Sequence, residues 1–220
     1  MKGIWAVVPA YNEGRRIREV LKKITGHVSS VVVVDDGSRD STFETAKSCN
    51  VKALRHIVNL GKGAALKTGC DYAYSRGAEV FIMIDADGQH DPSDIPRFLA
   101  EIRDRDIVFG IRKFTRSMPL ILLYGNWFIS SVTKLLYGIR ISDTQCGYRC
   151  FTRAAYRKLR WKATDYSLES EMIEKTSRHN LRYGFVAIET VYSDRYKGTT
   201  VFDGIKIVMD MVLGKLSQLR

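Results

Sequence analysis

The chain has 220 residues, 45% of them hydrophobic, and a formal net charge of +11 at pH 7. That length and apolar content suffice for one compact core, and nothing forces a split into two domains. The basic excess implies an anionic partner, which charge alone leaves open among nucleic acid, anionic lipid and a phosphorylated substrate. Four cysteines (Cys49, Cys70, Cys146, Cys150) contain one close pair and no histidine cluster. This excludes a well-supported disulfide framework or zinc site and predicts reduced thiols. The first apolar stretch is broken by Pro9, Asn12 and Glu13, too early for a signal peptide or a membrane span, so a cytosolic start is expected.

In chain order, Ile4 to Val8, Val31 to Asp35, Lys52 to His56, Val80 to Ile84 and Ile107 to Gly110 each look like strands. Between them, Arg15 to Ile24, Asp40 to Cys49, Gly63 to Ser75 and Ser93 to Arg103 carry apolar residues at helical spacing. Strict alternation predicts an α/β fold with a mostly parallel sheet built from βαβ units. After about residue 115 the pattern loosens.

The strand ends carry the polar groups. Pro9-Ala10-Tyr11-Asn12-Glu13 follows the first strand, Asp35-Asp36-Gly37-Ser38-Arg39-Asp40 the second, Asn59-Leu60-Gly61-Lys62-Gly63 the third and Asp85-Ala86-Asp87-Gly88-Gln89-His90 the fourth. In a parallel sheet these loops leave one edge and can converge on one ligand. Each has a plainer reading alone. Ser38 or Asp40 can cap a helix, Gly61-Lys62-Gly63 can be a turn, Glu13 can be a solvated first-turn acid, and Asp85 and Asp87 can cap the helix near Ser93. Two carboxylates one residue apart at the end of an apolar strand point instead to a divalent cation and a phosphate.

These motifs, with Gly110-x-Arg112 and Ser142-Asp143-Thr144-Gln145-Cys146-Gly147-Tyr148-Arg149, resemble the inverting family 2 glycosyltransferases of GT-A fold. Within them they are most similar to the dolichyl-phosphate or polyprenyl-phosphate hexosyl synthases. The resemblance implies a Rossmann-like GT-A catalytic domain over 1–197, with candidate membrane-interface helices in 117–139 and an amphipathic helix over 198–220. It implies that Pro9, Tyr11, Glu13 and Asp36 hold the nucleoside, with Lys62 and Ala86 also on the substrate. Asp85, Asp87 and Gln89 would hold Mg2+ or Mn2+ and the diphosphate. Asp87 and Arg112 match catalytic positions, Arg112 against phosphate, where a guanidinium fork has no lysine equivalent.

Arg195 matches a phosphate-contacting arginine on a C-terminal flap, with an ion pair to Asp194 or Glu189 as the competing reading. The lysine that the family carries beyond it is replaced by Val201, and the nearest lysine is Lys197. Asp143 and Arg149 would position donor or acceptor, or form a structural pair. Glu169 and Glu171 invite a similar role, but two residues apart they cannot share a helix face, and at least one is expected in solvent.

The reaction so implied moves a hexosyl group from a nucleotide-sugar (GDP-mannose, UDP-glucose or UDP-N-acetylglucosamine) to dolichyl or polyprenyl phosphate by direct displacement. An anionic phosphate needs no strong general base. The apolar and aromatic stretch around Met118-Pro119-Leu120 and Trp127-Phe128-Ile129, interrupted by Asn126, Ser130, Ser131 and Lys134, has the composition of an interfacial helix or helix pair. The tail from Val201 to Leu219 has helical apolar spacing, for a membrane surface, the core or a second subunit. Several members of the family carry transmembrane helices beyond this point. The expectation here is a peripheral protein on the cytoplasmic face of a membrane, held by its helices and charge or by an anchoring partner subunit. A family 2 transferase with a non-lipid acceptor is the alternative. A non-catalytic nucleotide-sugar sensor or a nucleic-acid module ranks lower, and no nucleic-acid partner is expected because the aromatics are not interleaved with basic residues.

Overall fold

The computed structural model of the chain describes residues 3–113 and 120–189, together with residues 208, 209, 211, 212 and 215. Runs of valine and isoleucine, stiff at χ1 and suited to a pleated surface, form the central strands. The elements are β1 (Ile4–Ala10), α1 (Ile17–Thr25), β2 (Ser30–Asp35), α2 (Thr42–Lys47), β3 (Lys52–Arg55), α3 (Lys62–Ser75), β4 (Val80–Met83), α4 (Ile95–Glu101), β5 (Ile107–Arg112), α5 (Leu120–Tyr137), β6 (Arg149–Thr152), α6 (Arg153–Leu159), α7 (Leu168–Arg178) and β7 (Tyr183–Ile188). All five expected strands and four expected helices are present, with ends shifted by one or a few residues. The helix expected from Ser93 begins as a 3-10 turn at Pro92–Asp94.

Seven strands form one sheet in the order β3-β2-β1-β4-β6-β5-β7. Every pairing is parallel except those of β6, which runs antiparallel between β4 and β5. This mostly parallel α/β sheet agrees with the expected class and adds one reversed strand. At four residues, Arg149–Thr152 is too short for a periodicity to declare it.

Alternate residues of each strand feed two cores. Ala6, Val8, Val31, Val33 and Ile82 pack with α1 and Phe98 of α4 on one face. Val7, Val32, Val34, Phe81 and Phe109 pack with α3, Tyr156 of α6 and α7 on the other. Helix α1 shows why the sequence folds this way: Ile17, Val20, Leu21 and Ile24 are its buried stripe, and its charged residues face out.

The interrupted apolar stretch is one 18-residue helix, α5, rather than a pair among the described residues. Its Ile129 and Tyr137 are buried against Met211, and the Tyr137 hydroxyl donates to the Met211 carbonyl oxygen at 3.0 Å. Trp127, Phe128 and Leu135 are 67%, 54% and 85% exposed. Among the described residues no helix is long and apolar enough to cross a membrane. Of the expected helix over 198–220, the described residues 208, 209, 211, 212 and 215 are helical, and the remainder lies outside the described residues.

Helix α3 lies so close to the sheet that a methyl group at Gly69 would stand 2.5 Å from Val7 Cγ1. Gly69→Ala gains about 1 kcal/mol of helix propensity but overpacks a stiff side chain at a cost of about 1–3 kcal/mol. Urea unfolding is therefore expected to show a net loss, with a lower midpoint and an unchanged m-value.

Candidate functional site

The loops after β1, β2, β3 and β4 do converge. With the α6–α7 loop they line a cleft of about 480 Å³ that presents Pro9, Tyr11, Glu13, Asp36, Lys62, Asp85, Ala86, Asp87, Asp165 and Tyr166. Nine of the expected substrate or metal positions are thus within reach of one ligand or beside it, counting Gln89 in the turn that follows Asp87.

The walls are built by loops that hold one another. The Asn12 N–H donates to Ser38 Oγ at 2.9 Å, the Glu13 N–H to Thr42 Oγ1 at 2.8 Å and the Gly14 N–H to Asp40 Oδ2 at 3.0 Å. Ser38 and Asp40 are not the N-cap of α2, which is Ser41; they bind the loop after β1 to the loop after β2. Glu13 precedes α1 rather than opening its first turn, and its buried carboxylate stands 3.7 Å from Arg16 Nη1.

Asp36 also lines the cleft, yet both its oxygens serve the neighbouring loop. Oδ1 accepts from the Leu60 N–H at 2.9 Å and lies 2.7 Å from His56 Nδ1, and Oδ2 accepts from the Gly61 N–H at 2.8 Å. Gly61-Lys62-Gly63 is more than a turn, since Lys62 and Gly63 begin α3.

Asp85 and Asp87 are not helix caps. Asp91 fills that role by accepting from the Ser93 N–H at 3.0 Å. Asp87 Oδ1 accepts from the Gln89 N–H at 2.9 Å. Asp85 receives Lys62 Nζ on both oxygens, at 2.9 and 3.0 Å, and the same ammonium lies 3.2 Å from Glu169 Oε1. Burial disfavours the Lys62 charge, but Asp85 and Glu169 outweigh it and hold the ammonium above the usual lysine range. Burial also works against an ionised Asp85, which Lys62 nonetheless keeps below the usual carboxylate value. Asp87 lacks such a partner; burial and then the charge of Asp85 push it up to about 6.

A partly buried carboxylate pushed up by its neighbour marks a place short of positive charge, and the oxygen donors suit a hard divalent cation. Among the described residues no three His, Cys, Asp or Glu side chains gather as a metal ion would need. Asp85 and Asp87 thus fit an open site that a diphosphate would complete, with Gln89 in the adjoining turn.

Of the three arginines expected at the substrate, the two among the described residues are both engaged with protein groups. Arg112 holds Asp143 through Nε to Oδ2 at 2.7 Å, Nη2 to Oδ1 at 2.8 Å and its own backbone N–H at 3.1 Å. Arg149 is buried and donates to the carbonyl oxygens of Cys146, Thr144 and Glu169 at 3.0, 2.9 and 2.8 Å. The Asp-Arg pair is therefore Asp143 with Arg112, because a bidentate carboxylate lies within reach of the end of β5 while Arg149 is taken up by carbonyls. Neither glutamate of α7 is left in solvent: Glu169 is buried at Lys62, and Glu171 accepts from the N–H groups of Lys162 and Ala163 at 2.8 to 2.9 Å. Arg195 lies outside the described residues.

Asp165 and Tyr166 are cleft residues that sequence reasoning missed. They sit in an irregular loop that follows a helix, and the contact of Asp165 Oδ1 with the Ser167 N–H at 3.0 Å is an ordinary turn contact.

A mostly parallel sheet whose edge gathers paired aspartates, a partly buried lysine and an open cleft has the layout of the GT-A glycosyltransferase fold. A sequence model of glycosyl transferase family 2 matches residues 5–160, and the chain belongs to that family. The UDP-N-acetylglucosamine--dolichyl-phosphate N-acetylglucosaminyltransferase of Methanococcus voltae is 32% identical, over 99% of this chain and 98% of its own. The polyprenol monophosphomannose synthase of Mycolicibacterium smegmatis is 29% identical, over 91% of this chain and 81% of its own. The crystal structure of glucosyl-3-phosphoglycerate synthase from Mycobacterium tuberculosis with Mn2+, UDP-glucose and phosphoglyceric acid shares the fold at a TM-score of 0.75. It is 19% identical and is matched over 97% of this chain and 79% of that one.

Because Asp87 must give up its proton to bind a cation, Mn2+ affinity is expected to hold above pH 7 and to fall as pH drops through about 6. Calorimetric titration with Mn2+ at pH 7.5, 6.5 and 5.5 checks the sign.

Proposed function

We propose that this chain transfers a hexosyl group from a nucleotide-sugar to dolichyl or polyprenyl phosphate, with inversion, at the cytoplasmic face of a membrane. The observation that carries the reading is the convergence of Asp85, Asp87 and Lys62 in a cleft that Tyr11, Glu13 and Asp36 also line. That set of groups suits a nucleoside and a diphosphate bound together.

In this reading Tyr11 packs on the nucleoside and the Glu13 carboxylate accepts its hydroxyl or base hydrogens, while Asp36 keeps the Leu60–Gly61 backbone in place beside it. Asp85 and Asp87, with Gln89, hold Mg2+ or Mn2+. Once bound, that cation supplies neutralisation of the charge growing on the departing nucleoside diphosphate. Lys62 adds a positive charge in a partly buried position, where it acts more strongly than in water. Arg112, tied to Asp143 in this structure, stands at the end of β5 to meet a phosphate. The acceptor phosphate is itself the nucleophile, so orientation and charge carry most of the acceleration.

The lipid acceptor is supported by the dolichyl phosphate in the name of the Methanococcus voltae relative and by the surface of α5. Trp127, Phe128 and Leu135 project from one side of that helix with Lys134 among them. An aromatic and apolar face bordered by a cation is suited to the headgroup boundary of a bilayer.

Radiolabelled UDP-N-acetylglucosamine, UDP-glucose and GDP-mannose, each offered with dolichyl phosphate with and without Mn2+ or Mg2+, test the reaction. Label entering the organic phase with one donor, only with metal and not with Asp87→Ala, is the expected result. No transfer from any donor by folded protein would move the reading to a non-lipid acceptor. Replacing Trp127, Phe128 and Leu135 together with serine is expected to cut sedimentation with anionic liposomes by about tenfold or more, and undiminished sedimentation would remove α5 as the membrane contact.

A further inference from the structure

Lys62 Nζ bridges both oxygens of Asp85, so a divalent cation that takes that carboxylate meets a like charge at close range while the ammonium stays where it is. A lysine that belongs to the site must then have somewhere to go. Glu169 is 2% exposed, and neither of its carboxylate oxygens has a hydrogen bond, although Oε1 stands 3.2 Å from Lys62 Nζ. A buried carboxylate with unfilled acceptor capacity is costly in one state unless another state fills it. The surroundings allow the ammonium to move and keep the carboxylate still. A methyl group at Gly147 would lie 2.6 Å from Lys62 Nζ and 2.9 Å from Asp85 Oδ2, so this glycine keeps the space around the pair open. The Glu169 backbone is pinned, its carbonyl oxygen accepting from Arg149 Nη1 at 2.8 Å. The lysine stem is the flexible member.

We propose that Lys62 is the resident counter-ion of the metal site and that Glu169 receives it when a divalent cation takes Asp85. The inference rests on Asp85 and Asp87 being metal ligands. In the metal-free protein the ammonium prevents Asp85 from standing as an uncompensated buried charge. When the cation arrives it repels the ammonium, and a shift of the side-chain tip converts the loose contact with Glu169 into hydrogen bonds. Glu169 is thus a positioning residue: it touches neither substrate nor metal, and it lowers the cost of loading by keeping the displaced charge paired.

The test is Mn2+ binding to the nucleotide-free protein, read from the electron paramagnetic resonance signal of free Mn2+. Glu169→Gln, which keeps the shape and removes the receiving charge, is expected to weaken Mn2+ binding by about tenfold. Lys62→Met/Glu169→Gln, which removes both the competitor for Asp85 and its destination and leaves no unpaired glutamate, is expected to bind Mn2+ at least as tightly as the unaltered protein. Unchanged binding by Glu169→Gln, or a double variant as weak as Glu169→Gln alone, overturns the proposal. Asp87→Ala separates the underlying reading, because it keeps Lys62, Asp85 and Glu169. Loss of Mn2+ binding there upholds the metal site whatever Glu169 does, and retained binding removes the metal site and this inference with it. A crystal structure with Mn2+ should show Lys62 Nζ hydrogen-bonded to Glu169 and off the metal-facing oxygen of Asp85; Lys62 still on both Asp85 oxygens would overturn the proposal.

Discussion

The site depends on one close approach, the first turn of α3 against the loop between α6 and α7. The Gly63 and Ala64 N–H groups donate to the Thr164 carbonyl oxygen at 2.8 and 3.3 Å, and Trp161 Nε1 donates to the Gly63 carbonyl oxygen at 2.9 Å. A side chain at Gly61, whose φ is +97°, would come within 2.2 Å of the Thr164 oxygen, and one at Gly63 within 2.4 Å of the Ala163 oxygen. The two glycines are there so that backbone can meet backbone. Through this contact the second half of the chain brings Asp165 and Tyr166 to a cleft that the first half builds around Asp36 and Asp85, and Glu169 to Lys62. The same contact satisfies N-terminal amides of α3 that would otherwise lack partners.

Buried positive charge does two different jobs around this cleft. Arg149 is consumed by three carbonyl oxygens and stacks over the Phe109 ring, with centroid distance 5.0 Å, so it ties the Thr144–Cys146 loop to the start of α7. A guanidinium is suited to this because its planar fork satisfies several acceptors at once. Lys62 is the opposite case, a single mobile ammonium shared by two carboxylates. Arg112 stands between the two, fixed by Asp143 but close enough for its charge to favour ionised Asp85. These three cations therefore differ in function because their partners differ in kind.

The position of α5 follows from the topology. It comes after β5, whose carboxyl end shares the sheet edge of the loops that form the cleft, because β5 is parallel to β7 and antiparallel to β6, as β4 is. In the proposed reading, the helix carrying exposed Trp127 and Phe128 thus follows in the chain the strand that ends at the edge of the cleft.

Sequence alone determined the alternating strands and helices up to about residue 112, the loops that meet at one edge, and the paired Asp85 and Asp87. These are local signals, since a buried parallel strand is a continuous apolar run and its ligands follow it directly. Tertiary structure decided that β6 runs backward between β4 and β5, that Asp143 faces Arg112 while Arg149 serves carbonyls, and that Glu169 reaches Lys62 across 107 residues of chain. Partner choice among buried charges depends on distances across the sheet, and no periodicity along the chain encodes them.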